Sequence, residues 1–450
     1  MISTLLLLFA STVSRPTRAV VDRIPSLGWG VAITILCGCV FGYEFFNKSA
    51  FTIDRGLVVC MVCWLIGLVL TKSIDFPALQ WLDLFVVGFV GLVGFNLALT
   101  DWRYDDNKPI NAYVIFYLLP LSFYLVVRCI GHDRRTWKIM QWSFIGLGAY
   151  LAFTGFCETQ ELHSLVFPKY ILDPSRSEFL GRGRGPFLNP IVNGIFQILA
   201  LACGLVLWKN ASGRGRVFVA LFVLLMLLGI LATLTRSNWL AAAPLLGIYV
   251  WRYSHWQFRG LCVLALPFVL VLGIVMYGDK INAFKRDKDV SLEDMSESAE
   301  LRPFLAVVAK KMVTERPLLG FGFSQYSKHA PPYHFAAVEH DRPLQKVMRY
   351  VQHNTFLAYA VEIGLVGLGS FLLVIGPAFW ISLRLWLNPT LPDELQNVGF
   401  AAFAVCWGFA VNGMFHDVAI IGMVNMLLYS MLGLLVAVQG HVYRMAESDG

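Results

Sequence analysis

The sequence predicts an all-α integral membrane protein with about twelve transmembrane helices and one large helical loop outside the bilayer. Three observations predict it. Of 450 residues, 57% are hydrophobic and only 14% charged, with a mean hydropathy of +0.64. A water-soluble domain of this size cannot enclose so much apolar surface. Apolar runs of about twenty residues, the length that crosses the hydrocarbon core, recur along the whole chain. Finally, the basic residues gather in the short loops of one parity, as they do on the cytoplasmic side of a membrane.

In order, the runs lie at about 27–43, 56–71, 81–99, 111–130, 137–157, 189–208, 216–234, 237–251, 260–277, 354–382, 398–412 and 417–438. The opening MISTLLLLFASTVSR is too short to span and has no basic residues ahead of it. It reads as an interfacial or half-inserted lead-in rather than a cleaved signal peptide. Arg15, Arg18 and Arg23, then Arg128, Arg134, Arg135 and Lys138, then Lys209, Arg214 and Arg216, then Arg252 and Arg259 mark the cytoplasmic loops, with both termini on that side. Residues 278–352 then form the long outer loop, periplasmic in a bacterial envelope, and 441–450 a cytoplasmic tail. The net charge of +7 is thus a topological signal and implies no nucleic acid. All nine cysteines lie in or beside apolar runs; Cys60 and Cys63, despite their spacing, read as packed thiols, and no disulfide framework is implied.

Polar side chains in or beside membrane spans are costly and therefore informative. Under this topology four unusual segments share the outer face: SRSEFLGRGRGPFLNPIVNG, LTRSNWL, the long loop ending at His353, and VNGMFHDVA. In LTRSNWL two spans are joined by almost nothing, which sets Arg236 at the membrane–water boundary. A lone arginine there would snorkel. Its company on one face, Arg182, Arg184 and Arg302, points instead to phosphate, because a guanidinium fork matches phosphate oxygens. In GRGRGPFLNPIVNG the glycines permit close backbone approach to an anion, and Asn189-Pro190 opens a span.

The long loop carries structure of its own. Leu301, Phe304, Leu305, Val308, Met312 and Val313 fall on one face of a helix, with Lys310 and Lys311 off that face and Pro317 ending it. Such a helix lies on the membrane surface or over the transmembrane bundle. Glycines 320 and 322 read as a tight turn. His329, His334 and His340 follow, but Pro331 and Pro332 prevent one helix from aligning the first two and no cysteine assists, so no metal site is expected.

His353 sits at the outer interface with a side chain suited to accept a proton at neutral pH. If one helix runs through RYVQHNTFLAYAVEIGLVG, Glu362 lies about 13.5 Å deeper and on the opposite face, and reads as an internal hydrogen-bond or ion-pair partner. One base and several cations suit direct displacement of a diphosphate from an anomeric carbon. The leaving group needs charge neutralisation, while an acceptor hydroxyl profits from a base.

TLTRSNWLA, RPLLGFGFSQY, HNTFLAYAVEIGLVG and FLNPIVNG, in this chain, together resemble motifs of the O-antigen ligase family, the superfamily shared with related polysaccharide polymerases. The resemblance covers roughly residues 180–380 and divides the chain into N-terminal transmembrane helices (1–180) and a ligase-like membrane domain (181–440). It implies a GT-C-like helical fold and a metal-independent, inverting glycosyltransferase without cofactor in the bacterial inner membrane. It implies a donor glycan on an undecaprenyl-diphosphate-type carrier and an acceptor that is a glycan, a lipid A-core or a protein. By resemblance Arg236 and Arg302 bind the diphosphate and His353 is the base. Arg182 and Arg184 are candidates for the same diphosphate, and Asn189, Asn354, Glu362 and Tyr326 for supporting roles. Pro303, directly after Arg302, departs from the family's pattern. The motifs leave ligase, polymerase and protein glycosylation open. A transporter would gather ionisable residues at mid-membrane and show internal repeats; here the polar residues gather at one surface.

Overall fold

The computed structural model describes residues 30–35, 53–72, 77–131, 133–176, 178–254, 259, 292–337 and 352–448. Among the described residues the regular elements are helices, with no strand. In chain order they are α1 (Ile53–Leu70), α2 (Trp81–Ala98), α3 (Tyr104–Ile130), α4 (Arg134–Thr159), α5 (Pro190–Leu205), α6 (Arg214–Ala232) and α7 (Arg236–Tyr253). There follow α8 (Leu292–Glu315), α9 (Pro331–Ala337), α10 (Thr355–Glu362), α11 (Gly364–Leu387), α12 (Asp393–Gly413) and α13 (Gly422–Ser448). Eight of the described helices, α2 to α6 and α11 to α13, are long and apolar enough to cross a membrane. The protein is a multi-pass membrane protein. The expected runs at 260–277 and most of 27–43, like the opening segment, lie outside the described residues. The run at 56–71 is the shorter α1 and that at 237–251 is α7.

The chain divides into two compact units, Met1–Gly148 with Arg302–Gly450, and Ala149–Leu301. In the first, α13 packs along α3, α11 along α12 and α2, and α10 against α11. Its interior is aromatic: Tyr359 sits 5.4 Å from Phe89 and 4.7 Å from Phe371, ring to ring, and Phe371 sits 5.8 Å from Phe409. These are edge-on or tilted contacts, which ring quadrupoles favour over face-to-face stacking. Charge inside the spans is paired, as the low dielectric requires. Buried Arg128 meets Asp83 at 3.1 Å and donates to the Ala78 carbonyl at 2.9 Å. The Tyr124 hydroxyl also donates to Asp83.

In the second unit α5 is the central element. All sixteen residues from Pro190 to Leu205 are buried, as a helix apolar on every side must be, and α6 and α7 pack against it. Asn189 caps it, accepting from the Ile191 and Val192 amides at 2.9 and 3.3 Å with Pro190 in the first turn.

One expectation is corrected. The run at 354–382 is not one helix from His353 to Gly367: α10 begins at Thr355 and ends at Glu362, and α11 begins at Gly364. The break is closed by another part of the chain. The Phe321 and Gly322 amides donate to the Val361 and Glu362 carbonyls at 2.9 and 2.8 Å, and the Leu365 and Val366 amides donate to the Pro317 and Leu318 carbonyls at 2.7 and 3.3 Å. Each orphaned end of the broken helix is thereby satisfied. Gly364 has φ +72°, and a Cβ there would meet the Leu318 carbonyl oxygen at 2.1 Å. Gly364→Ala is therefore expected to destabilise the protein by more than the roughly 1–2 kcal/mol of left-handed backbone strain alone. Thermal unfolding in detergent checks this, and an unchanged midpoint would contradict the pairing.

Candidate functional site

In unit 149–301 the connection between α6 and α7 is three residues, Thr233 to Thr235, with Leu234 at φ +49°. Arg236 is the first residue of α7. It is exposed, and its side chain has no partner among the described residues. The glycine-arginine segment packs directly beneath this turn. Gly183 donates its amide to the Ala232 carbonyl at 2.7 Å. Arg182, buried, donates to the Thr235 hydroxyl at 2.7 Å and to the Thr233 carbonyl at 3.3 Å. Asn238 donates to the Pro190 carbonyl at 2.9 Å, tying α7 to the start of α5.

Arg184 is wholly buried. Its guanidinium pairs with Glu158 at 3.1 Å and donates to the carbonyls of Ile171, Glu178 and Arg176. Arg182 thus braces the turn that precedes Arg236, and Arg184 ties the same segment to Glu158. Arg302 lies in α8, and only its helical backbone is described.

In the other unit the site is built around α10, whose two ends are each fixed. At the first end, His353 is not helical: it is half-buried with φ +47°. Asn354 is the N-cap, accepting from the Leu357 amide at 2.9 Å and donating to the Met414 carbonyl at 2.9 Å. The Thr355 hydroxyl donates to the His416 carbonyl at 3.1 Å, lies 3.3 Å from an Asp417 carboxylate oxygen, and accepts from the Val418 amide at 2.9 Å. VNGMFHDVA and HNTF are therefore one structure. Burial pushes the Asp417 carboxyl up to about 6, against the Thr355 hydrogen bond that lowers it, so it is ionised for the most part at neutral pH.

At the other end Glu362 accepts from the Ser324 amide at 2.8 Å. It anchors the turn after the two glycines. Because His353 precedes the helix, the single-helix distance to Glu362 does not apply. Nearby, the face of α8 expected from the sequence is used inside the protein. Val308 and Met312 pack on Phe321, Tyr326, Ala330 and Val361, with Phe304 and Val313 beside them, while Lys310 and Lys311 are exposed. Tyr326 is buried, its hydroxyl 3.1 Å from His334 Nε2. His340 lies outside the described residues.

Residues 221–372 match the family model for O-antigen ligase. That stretch is similar to the O-antigen ligase family. The match runs from α6 into α11 and includes Arg236, Arg302, Tyr326, His353, Asn354 and Glu362, and it supports membership of the O-antigen ligase family. A search of curated proteins finds none that matches the chain. That similarity supports, in general terms, a membrane glycosyltransferase of the ligase or polymerase type.

Sequence reasoning passed over Thr355, Asp417 and Glu158. Asp417 lay within a segment already marked as unusual; Glu158 had only its place at the end of a long apolar run to mark it.

The packing of Tyr326 on His334 is expected to be acid-sensitive. Burial holds the buried His334 imidazole below the ordinary histidine value of 6.5. The folded state therefore binds a proton less readily than the unfolded state, and the stability that neutral His334 contributes is present above 6.5 and lost as pH falls below it. Amide exchange over residues 326–334, corrected for intrinsic rates, is expected to rise between pH 7.5 and about pH 5.5 in wild type and much less in His334→Leu. Equal acid responses in the two proteins would contradict this.

Proposed function

We propose that this protein transfers a glycan from an undecaprenyl-diphosphate-type lipid carrier to an acceptor hydroxyl on the outer, periplasmic face of the bacterial inner membrane. The observation that carries the proposal is Arg236. It is an exposed guanidinium without a partner among the described residues, at the first position of a helix whose Thr235 cap makes no side-chain cap bond. A helix N-terminus with a free guanidinium suits a diphosphate, and the boundary of the span is the depth at which a lipid carrier presents one.

In this reading Arg236 and Arg302 contact the diphosphate, and buried Arg182 braces the turn that carries Arg236. His353 takes the proton from the acceptor hydroxyl. The acceptor oxygen forms a bond to the anomeric carbon as the bond from that carbon to the diphosphate oxygen breaks. The electron pair leaves with the lipid diphosphate, where the arginines stabilise the charge that develops. One displacement inverts the anomeric centre and requires no metal. Asn354, capping α10, fixes the backbone next to His353; Asp417 orients Thr355 from the adjoining loop. Glu362 and Tyr326 hold the far end of α10 and the loop packed on it, and Asn189 caps α5. The acceptor, a lipid A-core, a growing glycan or a protein, distinguishes ligase from polymerase.

The test is transfer by purified protein from a lipid-diphosphate-linked glycan to candidate acceptors. Wild type is expected to form product, and Arg236→Ala and His353→Ala to lose it by about a hundredfold or more. Equal transfer by all three, or none by wild type with any acceptor, would overturn the proposal.

A further inference from the structure

The structure assigns Glu158 as a positioning residue for the diphosphate contact, an inference that rests on the reading of Arg236 just given. Glu158 stands in the last turn of α4 and is 3% exposed. Its carboxylate accepts from three donors: the Arg184 amide at 3.0 Å, the Gly185 amide at 3.1 Å and the Arg184 guanidinium at 3.1 Å. Arg184 passes the restraint on. Its remaining donors hold the Ile171 carbonyl at 2.6 Å and the Glu178 carbonyl at 2.7 Å. The outer loop is thus drawn together on both sides of residues 179–183.

Those residues carry the contacts that shape the Arg236 turn. Gly183 approaches so closely that a Cβ would meet the Ala232 carbonyl oxygen at 2.9 Å. The Arg182 guanidinium occupies the Thr235 hydroxyl at 2.7 Å, while that hydroxyl donates to the Thr233 carbonyl at 2.9 Å. Thr235 is the N-cap of α7, and a threonine there would ordinarily accept from the helix's own first-turn amides. Here it makes no such bond. Arg182 therefore holds the Thr235 hydroxyl away from the first turn of α7, whose first residue is Arg236. The carboxylate that sets this arrangement is Glu158, screened from the anion by the two arginines. Substituting it would shift the Thr235 cap and Arg236 together without touching the reacting atoms.

The test uses the full-length protein, an undecaprenyl-diphosphate-linked glycan as donor and whichever acceptor supports transfer. Kinetics are measured for wild type, Glu158→Gln, Glu158→Asp, Thr235→Val and, as reference, Arg236→Ala. Glu158→Gln is expected to raise the donor KM about tenfold while changing kcat and the acceptor KM less than about threefold, with Glu158→Asp partly restoring it. Thr235→Val, which removes the other end of the relay near the surface, is expected to raise the donor KM in the same sense. It decides the matter if Glu158→Gln yields no folded protein. Unchanged donor KM in the folded Glu158→Gln or in Thr235→Val, with Arg236→Ala raised, overturns this inference alone, as does a uniform fall in kcat that tracks a lower melting temperature. Unchanged donor KM in Arg236→Ala overturns the diphosphate reading and this inference with it.

Discussion

A helix that breaks at the edge of a membrane exposes backbone groups that lipid cannot satisfy. At the junction of α10 and α11 those groups are the carbonyls of Val361 and Glu362 and the amides of Leu365 and Val366, and residues 317–322 satisfy all four. Much of that unit follows from this exchange. It fixes residues 317–322 to the junction of α10 and α11 and limits α10 to two turns. Asn96 on α2 reinforces it, donating to the Leu319 carbonyl at 2.7 Å and accepting from the Phe323 amide at 2.8 Å. With one end of α10 fixed so, its other end, where His353 and Asn354 stand, is fixed by the loop after α12. His353 thus stands outside the helix, directly before its Asn354 cap.

The other unit meets the same constraint with charge. A buried carboxylate and guanidinium are costly unless every donor and acceptor is engaged, and removing one partner of such a pair typically costs about 3–5 kcal/mol. Glu158 and Arg184 are engaged throughout, each also bonded to backbone. The result is a braced three-residue turn. In each unit a polar network within the protein fixes the start of a helix, at Arg236 in one and beside His353 in the other.

Much of this was legible in the residues. The spans follow from apolar runs, the start of α5 from Asn189-Pro190, and the buried face of α8 from the spacing of Phe304, Val308, Met312 and Val313, with Pro317 ending the run. The break after Glu362 was not. Gly364 in an apolar stretch reads equally as a small packing residue or as a left-handed helix end, and its partner carbonyl belongs to a segment some 46 residues earlier. Nor does a glycine-rich loop reveal whether its arginines face water or a buried acid. Arg182 and Arg184 looked like Arg236 in sequence and differ from it in every contact, because the distinction rests on Glu158, which is distant along the chain.

In the proposed reaction Arg236 holds a diphosphate and His353 removes a proton. Equilibrium binding of undecaprenyl diphosphate, lacking any glycan to transfer, tests that division most directly. His353→Ala is expected to bind it as wild type does, and Arg236→Ala about tenfold or more weakly, the value of one charge-assisted contact. If Arg236→Ala binds as wild type, or His353→Ala loses as much affinity as Arg236→Ala, the division is wrong.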